Sequence, residues 1–406
     1  MAPATTEQLE ARVAEHIGRL HDHLVDVRRT LHARPELSFE ETATTALIAE
    51  QLRATAAIAL PSPTRTGAVA LLDCGRPGQT VLIRADIDAL PIQEATGLPF
   101  ASGVDGCMHA CGHDAHAAGL LGVASALSSC AEDLAGRFLF VFQPAEERIS
   151  GAQAMVDGGL FSDVQPDAAI GLHVVSMLPH GSLLARAGVS MAGGWELQID
   201  VAGSGGHGAL QPRQGNVVLA ASDIAARLHS VVAGMAYQGT DYVCSPGMIV
   251  AGTASNVVPT RAHIAATLRW FEPEPRDEAM QRLDVLCQDV ARDFDVRVSV
   301  QRVLGTGPVV NDTEVTGLAI DAARRVLPES SVSELPGPVA ASDDMSVLLD
   351  RVPGCYLMVG AGRSDGSCGM HHSPTFDIDE RAIATGAAAL CAAAVRLAAR
   401  PARITR

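Results

Sequence analysis

The chain has 406 residues, 48% of them hydrophobic and 19% charged, with a formal net charge of −16. That length exceeds one simple core and predicts two domains, and the composition excludes a disordered chain. The negative charge argues against nucleic acid and against an anionic membrane surface as partners, and an anionic substrate would have to be drawn in by local positive groups.

Near the N-terminus, Leu9, Val13, Ile17, Leu20 and Leu24 recur at three- and four-residue spacing and predict a helix over 6–30. Arg34-Pro35-Glu36-Leu37 breaks it, and 40–52 reads as a second helix. Strands are predicted at 68–72 and 80–84, separated by the turn residues Gly75, Pro77 and Gly78. A helix over 113–127 follows, then an all-apolar strand over 138–142, as expected where both faces of a sheet are covered. A helix over 153–158 and a buried strand over 168–174 complete an alternation that implies a three-layer α/β/α fold with a mainly parallel sheet.

The pattern then changes. Trp195 to Val201 alternates apolar and polar residues, the mark of a strand with one wet face. A helix at 217–232, strands at 246–252 and 262–271, a helix at 276–294 and an alternating strand at 296–300 give the order β-α-β-β-α-β, a ferredoxin-like α+β unit. Helices at 312–325 and 343–350, a strand at 354–359 and a terminal helix restore the α/β character. The expected organisation is a catalytic domain in two parts, 1–187 and 306–406, with a domain inserted at 188–305. The start of the chain carries Glu7 and Glu10 and no apolar stretch of signal-peptide type. Nine scattered cysteines suit reduced thiols, so a cytoplasmic location is expected. The apolar run Ala382 to Val395 is too short and too rich in alanine for a membrane span and reads as a packed helix.

Chemistry concentrates in four clusters, each following a predicted strand. His109-Ala110-Cys111-Gly112-His113-Asp114-Ala115-His116 packs soft and borderline ligands together, which suits a transition metal. Glu146-Glu147, His173 and His371-His372 follow later in the chain. In open α/β sheets such groups gather at the carboxyl ends of strands, so residues distant in sequence can meet at one rim. Cys111, His113, Glu147, His173 and His372 give five donors, more than one four-coordinate zinc needs, and two metals sharing a bridging thiolate fit better. Of two adjacent glutamates, one can bind metal while the other faces the water, takes its proton and passes it to a leaving amine. Because His371 and His372 are adjacent, only one is expected to face the metal easily, and His372 is favoured. His116, Asp86, Asp88 and Asp114 are expected to support ligating side chains, although Asp86 and Asp88 could themselves ligate.

With these residues in view, the chain resembles the metal-dependent aminoacylase and carboxypeptidase superfamily, and most closely its amidohydrolase branch of hippurate and indole-acetyl-amino-acid hydrolases. The matching motifs run in order from Arg84-Ala85-Asp86-Ile87-Asp88-Ala89-Leu90-Pro91 through Met108 to His116, Gln143 to Glu147, Gly171-Leu172-His173, Gly205 to Ala209 and Ser255 to Pro259, ending at His372-Ser373-Pro374. The resemblance implies two divalent ions per chain (Mn, Zn, Co or Ni), Cys111 as shared ligand, and Glu146 as general base. It also implies that the inserted domain is a lid and often a dimer surface, so a homodimer or tetramer is expected. His207 would reach the scissile carbonyl oxygen, sometimes across a dimer, with Asn256 and Arg269 near a substrate carboxylate. His207 sits in a glycine-rich turn where backbone mobility helps a lid close. Asn256 and Arg269, read from the residues alone, could equally be ordinary turn and strand residues.

Two stretches depart from the family pattern. Leu210 to Asn216 replaces the usual continuation after the lid histidine, and Ser342-Asp343-Asp344-Met345 replaces Ser-Glu-Asp-Phe. Asp343 is expected either to cap the following helix or to weaken a supporting contact. The expected reaction is cleavage of an N-acyl amino acid or small N-acyl amine into a carboxylate and a free amine. The rivals are a dipeptidase or carboxypeptidase using the same site, a non-catalytic metal-binding relative, and a cysteine-nucleophile amidase built on Cys111 and His113.

Overall fold

The computed structural model describes residues 4–210, 213–328 and 331–402. The chain divides into two compact units: Met1–Gly188 with Val310–Pro336 and Asp344–Arg406, and Val189–Val309 with Gly337–Asp343.

The first unit is built on an eight-stranded sheet. In spatial order its strands are Ile58–Leu60, Ala68–Asp73, Arg137–Gln143, Thr80–Asp86, Ala168–Pro179, Gly354–Gly362, Leu183–Ala185 and Val332–Glu334. The four central strands run parallel, and antiparallel pairs flank them. Thr80–Asp86 and Gly354–Gly362 are buried along their whole length, which is why they read as continuous apolar runs.

Helices Thr6–His32, His113–Ser129, Thr313–Val326 and Arg381–Ala398 pack together against the sheet, while the short helices Gly151–Asp157 and Met345–Leu349 contact each other and the sheet. The packing is close because the facing residues are small. A Cβ on Gly122 would lie 2.7 Å from a Leu24 methyl, so the first and third of the chain's long helices meet where a side chain is missing. Arg381–Ala398 is long and apolar enough by composition to cross a membrane, yet 78% of it is buried inside the fold, as a core helix requires.

The second unit holds a four-stranded antiparallel sheet in the order Val243–Ala251, Arg261–Trp270, Gly193–Ala202, Arg297–Thr306. Helices Val217–Arg227 and Pro273–Phe294 complete the ferredoxin-like order. Asn216 caps the first of these helices by accepting from the Val218 and Leu219 amides, a structural role within the departing Leu210 to Asn216 stretch. Gln211 and Pro212 of that stretch lie outside the described residues.

Three expectations need correction. The predicted helix at 217–232 is α-helical only to Arg227, and its last turn is a 3-10 helix over Leu228–Val232. Helix Met345–Leu349 starts from Asp344 without a side-chain cap, so Asp343 is not its cap. The strand carrying His173 does not end there but continues to Pro179, because pairing with Gly354–Gly362 persists through a bulge near Gly360.

Candidate metal and catalytic site

All four clusters of the first unit meet at the carboxyl ends of its parallel strands. Cys111 and His113 flank Gly112, which has φ +92° at the start of helix His113–Ser129. A Cβ there would collide with Val174, so only glycine lets Cys111 and His113 approach the strand that carries His173.

The donor atoms converge. Cys111 Sγ lies 3.5 Å from His173 Nε2, and His372 Nε2 lies 3.4 Å from a Glu147 oxygen. His113 Nε2 stands 3.8 Å from both Glu146 and Glu147 carboxylates. Two trios, Cys111–His113–His173 and Cys111–Glu147–His372, share the sulfur, and the donor atoms within each lie inside 4.8 Å of one another. Two further groupings, His113–Glu146–Glu147 and Asp86–His113–His116, meet the same criterion.

The supporting carboxylates divide their work differently from expectation. Asp88 does touch a ligand candidate, but chiefly through its backbone: its carbonyl accepts from His113 Nδ1 at 3.0 Å, which turns Nε2 toward Glu146 and Glu147. Its side chain instead accepts the amides of Glu146 (3.0 Å) and Glu147 (3.1 Å), fixing the turn from which both glutamates project. Asp86 bonds Arg84 at 2.7 Å and His116 at 2.5 Å, and the oxygen facing Arg84 also stands 3.7 Å from His113 Nε2. Asp114 bonds Arg28 and His32, neither of them among the five candidate donors. Behind Asp86, the fully buried Arg84 also reaches Gln143, Tyr356 and Asp344.

His371, expected at the surface or in support of a ligand, reaches the site as well as His372. It is half-buried with Nδ1 3.6 Å from Cys111 Sγ, while His372 beside it faces Glu147. Adjacent side chains usually diverge, but His372 has φ +61°, a left-handed turn that lets both reach the site.

The electrostatics fit a cation. Burial opposes a charge on His113, but Asp86, Asp88 and Glu147 outweigh it and push the imidazole up to about 10. Burial and the Asp88 and Asp86 carboxylates push Glu147 upward, and burial pulls His173 down. His113 Nε2 and Glu147 Oε1 are buried, face each other, and have no hydrogen-bond partner. Buried polar atoms without a partner are costly unless something else completes them. A soft sulfur, imidazoles and carboxylates in this arrangement suit a divalent transition ion.

In the second unit, His207 pairs with Val257 in a short antiparallel ladder, and the Gly208 amide bonds the Asn256 carbonyl at 2.9 Å. His207 Nδ1 accepts from the Ala209 amide at 3.2 Å, so the ring proton sits on Nε2, poised to donate. Arg269 lies near the far end of strand Arg261–Trp270 and donates to Ser342 Oγ. The structure therefore brings His207 and Asn256 together but leaves Arg269 apart from them. Arg269 pairs with Gly194, eight residues and roughly 26 Å along the strand from Arg261 at about 3.3 Å per residue.

Comparison with known proteins now decides the family. The description "Peptidase family M20/M25/M40" matches residues 82–396, most of the chain. This chain belongs to the M20 peptidase family. N-acetyl-L-cysteine deacetylase of Bacillus subtilis (strain 168) is 35% identical over 382 residues, covering 94% of this chain and 90% of its own. N-acetyldiaminopimelate deacetylase of Lactobacillus helveticus (strain DPC 4571) is 33% identical over 373 residues, covering 90% and 95%. Among solved structures, the YXEP protein of Bacillus subtilis, described as a dinuclear metal binding peptidase of the M20 family, aligns with a TM-score of 0.78 at 30% identity, covering 94% of this chain and 99% of that one. The M20 chain is thus a hydrolase of amide bonds, with clusters of metal-ligand type at the ends of its strands.

Proposed function

We propose that this M20 amidohydrolase cleaves N-acyl amino acids, using two divalent ions (Mn, Zn, Co or Ni) held by Cys111, His113, Glu147, His173 and His372. The observation that carries this reading is the convergence of two adjacent carboxylates on one histidine nitrogen. Glu146 and Glu147 both stand 3.8 Å from His113 Nε2, yet only Glu147 also lies beside Cys111 and His372. Glu147 thus sits among the metal donors, and Glu146, beside the same histidine nitrogen, is assigned proton transfer. When bound, the ions lower the pKa of a water toward neutrality and polarise the scissile carbonyl.

Glu146 takes the proton of the attacking water and returns it to the leaving nitrogen, releasing a carboxylate and a free amine. His207 donates Nε2–H to the carbonyl oxygen as negative charge develops there. Arg269 and Asn256 hold the substrate carboxylate, the guanidinium supplying a planar two-pronged donor. The names of the acetylcysteine and acetyldiaminopimelate deacetylases support this substrate class. The test is a comparison of an N-acetyl amino acid with its methyl ester and with a dipeptide. The free acid should have kcat/KM at least tenfold above the ester, and Arg269→Ala should erase the difference. Equal rates for acid and ester would remove the carboxylate contact, and faster cleavage of the dipeptide would make the chain a peptidase.

We infer a homodimer built through the second unit. Within the second unit His207 pairs with Val257 while Arg269 lies near the opposite end of strand Arg261–Trp270, which supports one of the two being supplied by a second copy. The edge strand Val243–Ala251 supports this, with Met248, Ile249 and Val250 about half exposed on an unpaired sheet edge. Sedimentation should give a dimer, and Met248→Asp with Val250→Asp should give a monomer with reduced turnover. A fully active monomer would contradict this. All nine cysteines are free thiols, which supports a cytoplasmic location.

A further inference from the structure

The strand Ala168–Pro179 is held on one side by Gly354–Gly362 over most of its length. On the other side Thr80–Asp86 accompanies it only as far as Gly171. Beyond that point the backbone N–H groups on the open side need other acceptors. Two imidazoles supply them. The Val174 amide donates to His116 Nε2 at 2.9 Å, and the Ser176 amide donates to His371 Nε2 at 3.1 Å. These amides flank Val175, two residues apart, and so point to the same edge.

A ring nitrogen that accepts a hydrogen bond carries no proton, so in each neutral imidazole the proton is on Nδ1. His116 gives it to Asp86 at 2.5 Å. His371 points the same atom at Cys111 Sγ, 3.6 Å away. The ring is steadied from the other side as well. Ser176 Oγ donates to the Gly369 carbonyl at 2.9 Å, and the Phe376 ring lies 4.8 Å from the His371 ring between centroids.

We propose that His371 is a positioning residue that donates Nδ1–H to the Cys111 sulfur, its orientation set by the Ser176 amide, and that it does not itself bind metal. This rests on the reading of Cys111 as the shared metal donor. An N–H donor to the sulfur draws on its lone pairs, fixes its direction, and tempers the charge it gives to bound ions. A second bond to Ser176 leaves His371 no freedom to turn toward an ion.

Two substitutions separate the two contacts. His371→Asn keeps an N–H near the Nδ1 position and loses the acceptor for Ser176. His371→Gln keeps an acceptor near the Nε2 position and loses the donor to sulfur. In cobalt-loaded protein the sulfur-to-cobalt charge-transfer band should match wild type in His371→Asn and move to lower energy in His371→Gln. Both variants should retain the wild-type number of cobalt ions, with affinity in His371→Gln weakened about tenfold. In metal-free protein, Ser176 amide hydrogen exchange should speed up at least tenfold in His371→Asn and stay near wild type in His371→Gln. Loss of one cobalt ion per chain in either variant would make His371 a ligand and overturn the proposal. An unmoved band in His371→Gln, or exchange rates alike in both variants, would overturn it too. A wild-type protein with no sulfur-to-cobalt band would instead overturn the metal reading beneath it.

Discussion

Replacing Glu146 by Gln is expected to lower kcat by roughly 10³-fold at saturating metal, within the range for loss of a general base. The amide is nearly the same size as the carboxylate and cannot take a proton. The backbone amide of residue 146 still donates to Asp88, so the turn that also presents Glu147 is preserved. Bound metal should therefore be unchanged in Glu146→Gln, whereas Glu147→Gln should lose metal, because Glu147 lies among Cys111, His113 and His372. Metal analysis beside steady-state kinetics separates the two. A Glu146→Gln protein within threefold of wild-type kcat would remove Glu146 from the chemistry.

The second large effect is on stability. Arg28 and Asp114 have fully buried side chains joined at 3.0 Å. Arg28 also reaches Asp377 and Glu380, and His32 bonds both Asp114 and Glu94. Asp114→Ala leaves the buried Arg28 with Asp377 and Glu380 and His32 with Glu94 alone, so breaking this buried cluster should cost about 3–5 kcal/mol in urea unfolding.

The same cluster sets a pH dependence. Burial opposes protonation of His32, but its bonds to Asp114 and Glu94 overcome this and raise it from 6.5 to about 9. Its contribution is complete below pH 6.5 and is lost as pH rises through about 9. Asp114 is held well below the usual carboxylate range because Arg28 and His32 outweigh its burial, so its contribution persists through mild acid and is lost only as pH falls further. With metal saturating, wild type should be less stable at pH 9.5 than at pH 6, and His32→Gln should lose most of that difference. A difference of equal size in both proteins would assign it elsewhere.

Much of this was legible in the sequence because period and ligand type are local signals. The alternation from Trp195 to Val201 differs from the apolar run from Phe138 to Phe142, and that difference distinguishes the two units' sheets in the sequence. The ligand clusters stood out because each follows a strand. What escaped notice depends on partners. Ile58–Leu60, Leu183–Ala185 and Val332–Glu334 are three residues each, too short for a period. Arg28 and His32 continue the apolar stripe of Leu24 and Leu31, and a charge on such a stripe was a usable sign of a buried ion cluster. The role of Asp88 could not be read, since its side chain bonds amides 58 and 59 residues away. The joint reach of His371 and His372 depends on a left-handed backbone angle at a non-glycine residue, for which the sequence carries no marker.

The most direct test of the whole account is amine release from an N-acetyl amino acid by chelator-stripped protein titrated with Mn, Zn, Co or Ni. Activity should be absent at the start and rise to a plateau at two ions per chain with at least one of these metals. Turnover that survives stripping, or a plateau reached independently of bound metal, would contradict a metal centre built on Cys111, His113, Glu147, His173 and His372.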